Sequence, residues 1–222
     1  VFHVKAEKEI EVYSGYTLVK PSKMALPEGI ETYLWIKRVF DILCASVGVV
    51  LAAPIILVFS LLIVLETPGS PFYVQERVGK NGKTFRLVKL RSMRKDAERG
   101  GAKWAEAHDP RVTRVGRFIR KTRIDELPQL ISVLKGDMSM IGPRPERPMF
   151  TEEFDREIPG FKNRLLVKPG LTGLAQVSGG YDLSPKEKLV FDLAYVRNLS
   201  PMLELKILLR TIKVLLTGEG AR

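Results

Sequence analysis

The chain has 222 residues, and its 36 Lys and Arg outnumber 25 Asp and Glu, giving a net charge of +11 and a pI near 9.8. That length buries a real core in one domain or two, and the basic balance points to an anionic partner: nucleic acid, acidic lipid head groups or a phosphorylated substrate. A single cysteine, Cys44, excludes an internal disulfide and any cysteine-rich zinc site, and the two histidines, His3 and His108, lie too far apart in sequence to show ligand spacing.

The chain begins at Val1 rather than Met. Residues 1–20 alternate weakly (Ile10, Val12, Tyr13, Tyr16, Leu18), which predicts one or two short strands. Pro21 to Gly29 has a linker's composition. This part carries no chemistry of its own and is a candidate remnant of an upstream domain.

From Ile42 to Leu65 run 24 residues without a charge. As a helix they would extend roughly 36 Å, enough to cross a hydrocarbon core of about 30 Å. Two features argue against a plain span. Pro54 falls in the middle, where it lacks an N–H, crowds the carbonyl of Val50 and biases Ala53 away from helical angles. Basic residues also stand on both flanks, Lys37 and Arg38 before and Arg77, Lys80, Lys83 and Arg86 after, whereas a spanning helix carries its Lys/Arg excess on one side. A helix broken at Ala53-Pro54, entering and leaving by one face, satisfies both; a straight span with a mild kink at Pro54 is the alternative.

Thr67-Pro68-Gly69-Ser70-Pro71 ends that segment. A strand is predicted at Phe72–Gln75, a turn at Gly79–Lys83 through Asn81-Gly82, and a second strand at Thr84–Leu90. The hairpin delivers Lys89 and Arg91, the latter read as a surface cation. Residues 94–110 are charged and turn-rich and predict a mobile loop. Arg111, Arg114, Arg117 and Arg120 then recur every third residue beside Val112, Val115, Phe118 and Ile119. A basic amphipathic helix of this kind suits an anionic membrane surface. No interleaved aromatics or nucleic-acid motif accompany it, so nucleic acid is not an expected partner.

The densest chemistry lies between Arg120 and Pro145. Six Lys/Arg occupy residues 111–123 with no acid among them, and Asp125-Glu126 follow directly. Leu127, Leu130, Ile131 and Leu134 recur at helical spacing up to Gly136, which puts both carboxylates at a helix start. Such a pair is an ordinary cap and dipole complement; surrounded by cations, it can also hold a divalent metal, a phosphate or both. Farther on, residues 149–164 are predicted helical and Val167–Val177 extended. Ser184-Pro185 opens a helix to about Asn198, placing Asp192 and Tyr195 one turn apart, and Met202–Leu216 forms an apolar helix with Lys206, Arg210 and Lys213 on one narrow face.

Taken in order, these pieces resemble the bacterial sugar transferases, the monotopic phosphoglycosyl transferases that begin glycan assembly on undecaprenyl phosphate. The matching stretches are Lys37-Arg38-x-x-Asp41, Pro54, Gln75-x-Arg77-x-Gly79, Asp125-Glu126-Leu127-Pro128-Gln129-Leu130, Leu134 to Ser139, Gly142-Pro143-Arg144-Pro145, Lys168 to Gly173, Ala175-Gln176-Val177 and Asp192-x-x-Tyr195. The resemblance covers residues 37–216. It implies that Asp125 attacks the β-phosphorus of a UDP-sugar, releases UMP and passes the phosphosugar to undecaprenyl phosphate. It further implies that Glu126 helps hold Mg²⁺, that Lys89, Arg120 and Arg144 stand near the phosphates, and that Gln176 and Asp192 belong to the pocket region. Two positions depart from the family pattern, Gly180 for Arg and Pro185 for Trp, and Tyr181 or Lys188 are the nearby candidates to compensate.

The resulting expectation is an α+β, mostly helical, monotopic membrane protein with a Pro-broken re-entrant helix, a small β-hairpin and interfacial amphipathic helices. Its parts are residues 1–36 (N-terminal segment), 37–71 (re-entrant helix) and 72–222 (catalytic domain on the cytoplasmic face of the bacterial inner membrane). The expected partners are a UDP-sugar, undecaprenyl phosphate and anionic membrane lipids, with a homo-oligomer left open. A catalytically idle module that only binds lipid or a partner is the rival reading.

Overall fold

Glycine in the left-handed conformation at Gly29 (φ 71°) turns the chain into its longest element, helix α1. A computed structural model describes residues 12–13, 16–17, 24–97, 109–180 and 183–217. Before α1, strands β1 (Val12–Tyr13) and β2 (Tyr16–Thr17) pair antiparallel; the rest of the expected N-terminal strands lies outside the described residues.

Helix α1 runs from Ile30 to Glu66, 37 residues or about 55 Å. It is long and apolar enough to cross a membrane by length and composition. The expected break at Ala53-Pro54 does not interrupt it: the backbone stays helical through both residues. Proline removes one hydrogen bond, but Ala52 and Ile56 on either side pack into a core cluster with Phe85, Leu87, Leu130 and Val133, which holds the helical path.

The same body grips α1 along its length. Near the start, Lys37 pairs with Glu204 at 2.7 Å, and Asp41 accepts from Ser139 Oγ (3.0 Å) and Met140 N–H (2.9 Å). Arg38 donates to the carbonyls of Val133 (2.6 Å) and Leu134 (2.8 Å), where a helix end leaves acceptors unsatisfied. Near the finish, Ile63 packs with Leu90 and Ile119, and Glu66 accepts from the N–H groups of Arg114 and Val115. The opposite face is bare: Leu43, Val47, Val50, Leu51, Leu57 and Leu65 are 61–73% exposed, a surface that water would not favour.

Strands β3 (Phe72–Val78) and β4 (Thr84–Leu90) form the expected hairpin, with Tyr73 opposite Lys89 and Arg77 opposite Phe85. Its turn holds Asn81 and Gly82 at φ 56° and 80°. Arg91 corrects the sequence reading. It is buried, not a surface cation, and donates to the Thr67 carbonyl (2.6 Å), the Thr67 hydroxyl (3.1 Å) and the Pro68 carbonyl (3.0 Å), tying the hairpin to the end of α1. Most of the predicted loop at 94–110 falls outside the described residues.

Helix α2 (Arg114–Lys121) is shorter than the arginine repeat, because Arg111 turns back to Asp109. Thr113 caps it, Ile119 is buried and Phe118 is left 53% exposed, stacked on Phe59 of α1 at 5.6 Å. A 3₁₀ turn at Ile124–Gln129 leads into α3 (Leu130–Lys135), which ends on left-handed Gly136. Strand β5 (Ser139–Ile141) precedes α4 (Pro148–Glu157) and pairs in parallel with β6 (Gly170–Thr172). The expected extended run to Val177 instead coils at α5 (Leu174–Ser178). Ser184 and Glu187 form a capping box that opens α6 (Pro185–Arg197), followed by α7 (Pro201–Thr217). One core cluster joins β5, α5, α6 and α7 to Ile30. Among the described residues, three two-stranded sheets lie among the helices, so the described protein is α+β and mostly helical, as expected.

Candidate active site

Between the hairpin and helices α4 to α6 lies a cavity of about 550 Å³. Every expected chemical residue lines it: Lys89 from β4, Arg120 from α2, Asp125 and Glu126 from the 3₁₀ turn, Arg144 from the loop after β5, Gln176 from α5 and Asp192 from α6. Ala53 and Pro54 lie away from it on α1.

Local structure explains how the acids face inward. Arg123 adopts left-handed angles (φ 56°) at the start of the turn, an unfavourable conformation for a non-glycine residue. The chain reverses there from α2 into the turn, so that Asp125 and Glu126 are each only 8% exposed. Glu126 is held by two cations. Arg144 donates to both of its oxygens through two guanidinium nitrogens, and Lys89 Nζ stands 3.3 Å from Oε1. Burial alone would raise the Glu126 carboxyl, but the Arg144 guanidinium and the Lys89 ammonium outweigh it and hold the group well below the usual carboxylate range.

Asp125 has the opposite balance. Burial, and then the charge of neighbouring Glu126, push it up to about 6 against the pull of Lys89, Arg120 and Arg144. Two adjacent carboxyl groups thus differ in character, one held charged by its cationic partners and the other raised by burial and by its charged neighbour. Separation of this kind in a cleft marks acid–base or nucleophilic chemistry.

Asp192 contributes differently. It is 1% exposed and pairs with Arg164 at 2.6 Å, while Arg164 also donates to the Arg144 carbonyl at 2.8 Å. Burial pushes the Asp192 carboxyl up even though Arg164 opposes it. Asp192 therefore braces the loop that carries Arg144. Gln176 leaves its Oε1 buried with no hydrogen-bond partner among the described residues, an acceptor open to a ligand.

Several cavity residues escaped the sequence reading as site residues. Arg147 reaches the Tyr73 hydroxyl at 3.5 Å, and Gln75 bridges Tyr73 and Arg77 along one face of β3. Alternation in the strand places Tyr73, Gln75 and Arg77 on one side, a signal present in the sequence once the strand is drawn to Val78. Arg164 gave no such signal, since its role depends on a partner 28 residues away. Tyr195, one turn from Asp192, faces the core, its hydroxyl 2.6 Å from a Glu204 carboxylate oxygen and 3.0 Å from the Ile141 carbonyl. Lys188 and Gly180 line the cavity; Tyr181 lies outside the described residues.

Among the described residues no group of three or more Asp, Glu, His or Cys forms a metal cage. The donor set still fits Mg²⁺ of the kind shared with substrate phosphates, which uses only one or two carboxylates. A carboxylate offers about four lone-pair sites. Glu126 meets three donor contacts from Arg144 and Lys89, and Asp125 stands beside it.

Residues 32–218 match the family model described as bacterial sugar transferase. A Bacillus subtilis (strain 168) protein provisionally named as an undecaprenyl-phosphate N-acetylgalactosaminyl 1-phosphate transferase is 60% identical over 162 residues, covering 73% of this chain and 90% of the relative. The Aeromonas hydrophila UDP-N-acetylgalactosamine-undecaprenyl-phosphate N-acetylgalactosaminephosphotransferase is 49% identical over 86% of this chain, which spans 46% of that longer protein. The Caulobacter vibrioides UDP-glucose:undecaprenyl-phosphate glucose-1-phosphate transferase is 41% identical over 83% of this chain and 71% of its own length. With the family match spanning most of its length, this chain belongs to the bacterial sugar transferase family.

Proposed function

We propose that this protein transfers a sugar 1-phosphate from a UDP-sugar to undecaprenyl phosphate at a membrane surface, by way of a phosphosugar carried on Asp125. The observation that carries the reading is the carboxyl pair itself. Asp125 is buried among Lys89, Arg120 and Arg144, so it can approach an anionic diphosphate that would repel an exposed carboxylate. In the first step an Asp125 oxygen bonds to the β-phosphorus, the bond to the bridging oxygen breaks, and that oxygen leaves with its electron pair as part of UMP. In the second step an oxygen of the lipid phosphate bonds to the same phosphorus and the electron pair returns to the Asp125 carboxylate.

Glu126 would help hold Mg²⁺, which would supply charge neutralisation for the departing nucleotide. Arg144 and Lys89 keep Glu126 ionised, and Arg164 with Asp192 keeps the Arg144 loop in place. The relatives at 60% and 49% identity are named for N-acetylgalactosamine, those at 41% and 39% for glucose and galactose, so an N-acetylated hexose is the first donor to assay.

A monotopic placement on the cytoplasmic face of the inner membrane accompanies this reading. Both ends of α1 are fastened to one body, through Lys37 and Asp41 at the start and Glu66 at the finish, which supports a helix whose two ends stay on the same side of the membrane. Basic helix α2 and the apolar face of α7 suit an anionic lipid surface. UMP release from a panel of UDP-sugars, with and without Mg²⁺, tests the activity, and mass spectrometry after donor incubation should find a phosphosugar on residue 125. Turnover undiminished in Asp125→Asn would reject the nucleophile. For the topology, single cysteines placed on either side of Pro54 in a Cys44→Ser background should be labelled from one compartment only.

A further inference from the structure

Of the pair Asp192-x-x-Tyr195, only the aspartate lines the cavity. Tyr195 follows it by one turn on the same side of α6 and is fully buried. Its hydroxyl stands 2.6 Å from a Glu204 carboxylate oxygen and 3.0 Å from the Ile141 carbonyl oxygen. A hydroxyl has one proton to offer, so this is a three-centre arrangement, and a shift toward either acceptor weakens the hold on the other. The same Glu204 oxygen meets Lys37 Nζ at 2.7 Å, and both of those side chains are buried. Lys37 fixes the carboxylate, and the carboxylate fixes the tyrosine.

What this network holds is strand β5. Asp41, one turn along α1 from Lys37, accepts from the Ser139 hydroxyl (3.0 Å) and the Met140 N–H (2.9 Å), while Tyr195 meets the Ile141 carbonyl. Every residue of the strand is therefore tied to a buried side chain. Gly142 and Pro143 follow, and then Arg144, which donates to both Glu126 oxygens. Asp192 pairs with Arg164 at 2.6 Å, and Arg164 donates to the Arg144 carbonyl at 2.8 Å. One side of α6 thus reaches the Arg144 loop twice, through Tyr195 where the loop leaves β5 and through Asp192 and Arg164 at Arg144 itself.

Resting on the reaction proposed above, we infer that Tyr195 is a positioning residue: held by Glu204 and Lys37, it sets the end of β5 so that Arg144 meets Glu126. Tyr195, Glu204 and Lys37 do not line the cavity, so their effect on the reaction passes through the elements they hold. A misplacement of about 1 Å in a site costs on the order of a hundredfold in rate, and only Gly142 and Pro143 separate the anchored carbonyl from Arg144. A buried ion pair that only specified the fold would act differently. Its loss would lower stability with no special dependence on Arg144.

Tyr195→Phe separates the two roles, because it keeps the ring in the core and the Lys37–Glu204 pair intact and removes only the hydroxyl. In the full chain in nanodiscs, with UDP-N-acetylgalactosamine and undecaprenyl phosphate, it should slow UMP release by about tenfold or more when Arg144 is present. In an Arg144→Lys background, which has given up the two-nitrogen grip on Glu126, the further loss should be less than about twofold. Equal fold losses in the two backgrounds overturn the assignment. Independently of activity, hydrogen exchange should quicken in Tyr195→Phe across residues 139–147, while the β3–β4 hairpin keeps its rates. Unchanged exchange at 139–147, or the same acceleration in the hairpin, also overturns it. If Tyr195→Phe does not fold by circular dichroism, Glu204→Asp takes its place in both measurements, since it keeps a charge for Lys37 and draws it back from the hydroxyl. No UMP release by the unaltered protein from any UDP-sugar would count against the proposed reaction, and hydrogen exchange would still decide whether Tyr195 holds the Arg144 loop.

Discussion

Asp125 holds together the chemistry and its cost. Its folded value of about 6 lies above the ordinary 3.8, so the native state disfavours the anion. That penalty is complete above pH 6 and disappears as the pH falls toward the unfolded value. Asp125→Asn should therefore stabilise the metal-free protein at pH 7.5 by on the order of 1–2 kcal/mol, with no gain near pH 4, while UMP release falls by several orders of magnitude. Denaturant melts at the two pH values check the first part. Asp109 runs the other way. The Arg111 guanidinium 2.5 Å away holds its carboxyl down to about 2, so its contribution is present above pH 4 and is lost as the pH falls toward 2. Asp109→Asn should make the midpoint less sensitive to acid over that window. The Asp-Glu pair and its nearby arginines were legible in the sequence because they are neighbours in the chain. Arg164 was not, because nothing local marks a residue whose value lies in bracing another loop.

Among the elements, the close approach of β5 to β6 sets the position of Arg144. A Cβ on Gly142 would meet the Lys168 carbonyl oxygen at 2.4 Å and the Gly170 nitrogen at 2.9 Å, backbone atoms that cannot step aside. Gly142→Ala should shift the loop two residues before Arg144, lowering both thermal stability and UMP release, with donor turnover as the measure. Arg91 does comparable work at the hairpin. Its three hydrogen bonds to Thr67 and Pro68 fasten β4 to the end of α1, and Arg91→Ala should cost about 1–3 kcal/mol by chemical denaturation. The hairpin and α6 could be drawn from turn and capping signals alone. The coil at α5 could not, since Val167–Val177 is glycine-rich and the choice falls to packing of Leu174 and Ala175 in the core.

For the whole molecule, the apolar surface is the feature that a folded body in water does not explain. Besides the outer side of α1, α7 carries exposed apolar residues: Met202, Leu205, Leu209 and Ile212 are 51–61% exposed. Leu205→Glu/Leu209→Glu should weaken flotation with anionic vesicles while leaving the secondary structure by circular dichroism intact. Membrane extraction should still need detergent, because α1 is unaltered. The apolar run was plain from its 24 uncharged residues, and so was the proline within it. That the helix stays continuous through Pro54 was not, because the packing of Ala52 and Ile56 outweighs the lost hydrogen bond.

Local order in the chain determined the family, the apolar helix, the hairpin and the acid pair, because each is written in adjacent residues with a fixed period or a turn signal. The tertiary structure alone decided which charges meet. Lys37 finds Glu204, Arg38 reaches the end of α3, and Arg164 joins Asp192 to the Arg144 loop. Burial then gives Asp125 and Glu126 opposite characters, since desolvation and the directions of neighbouring cations exist only once distant segments have been packed together.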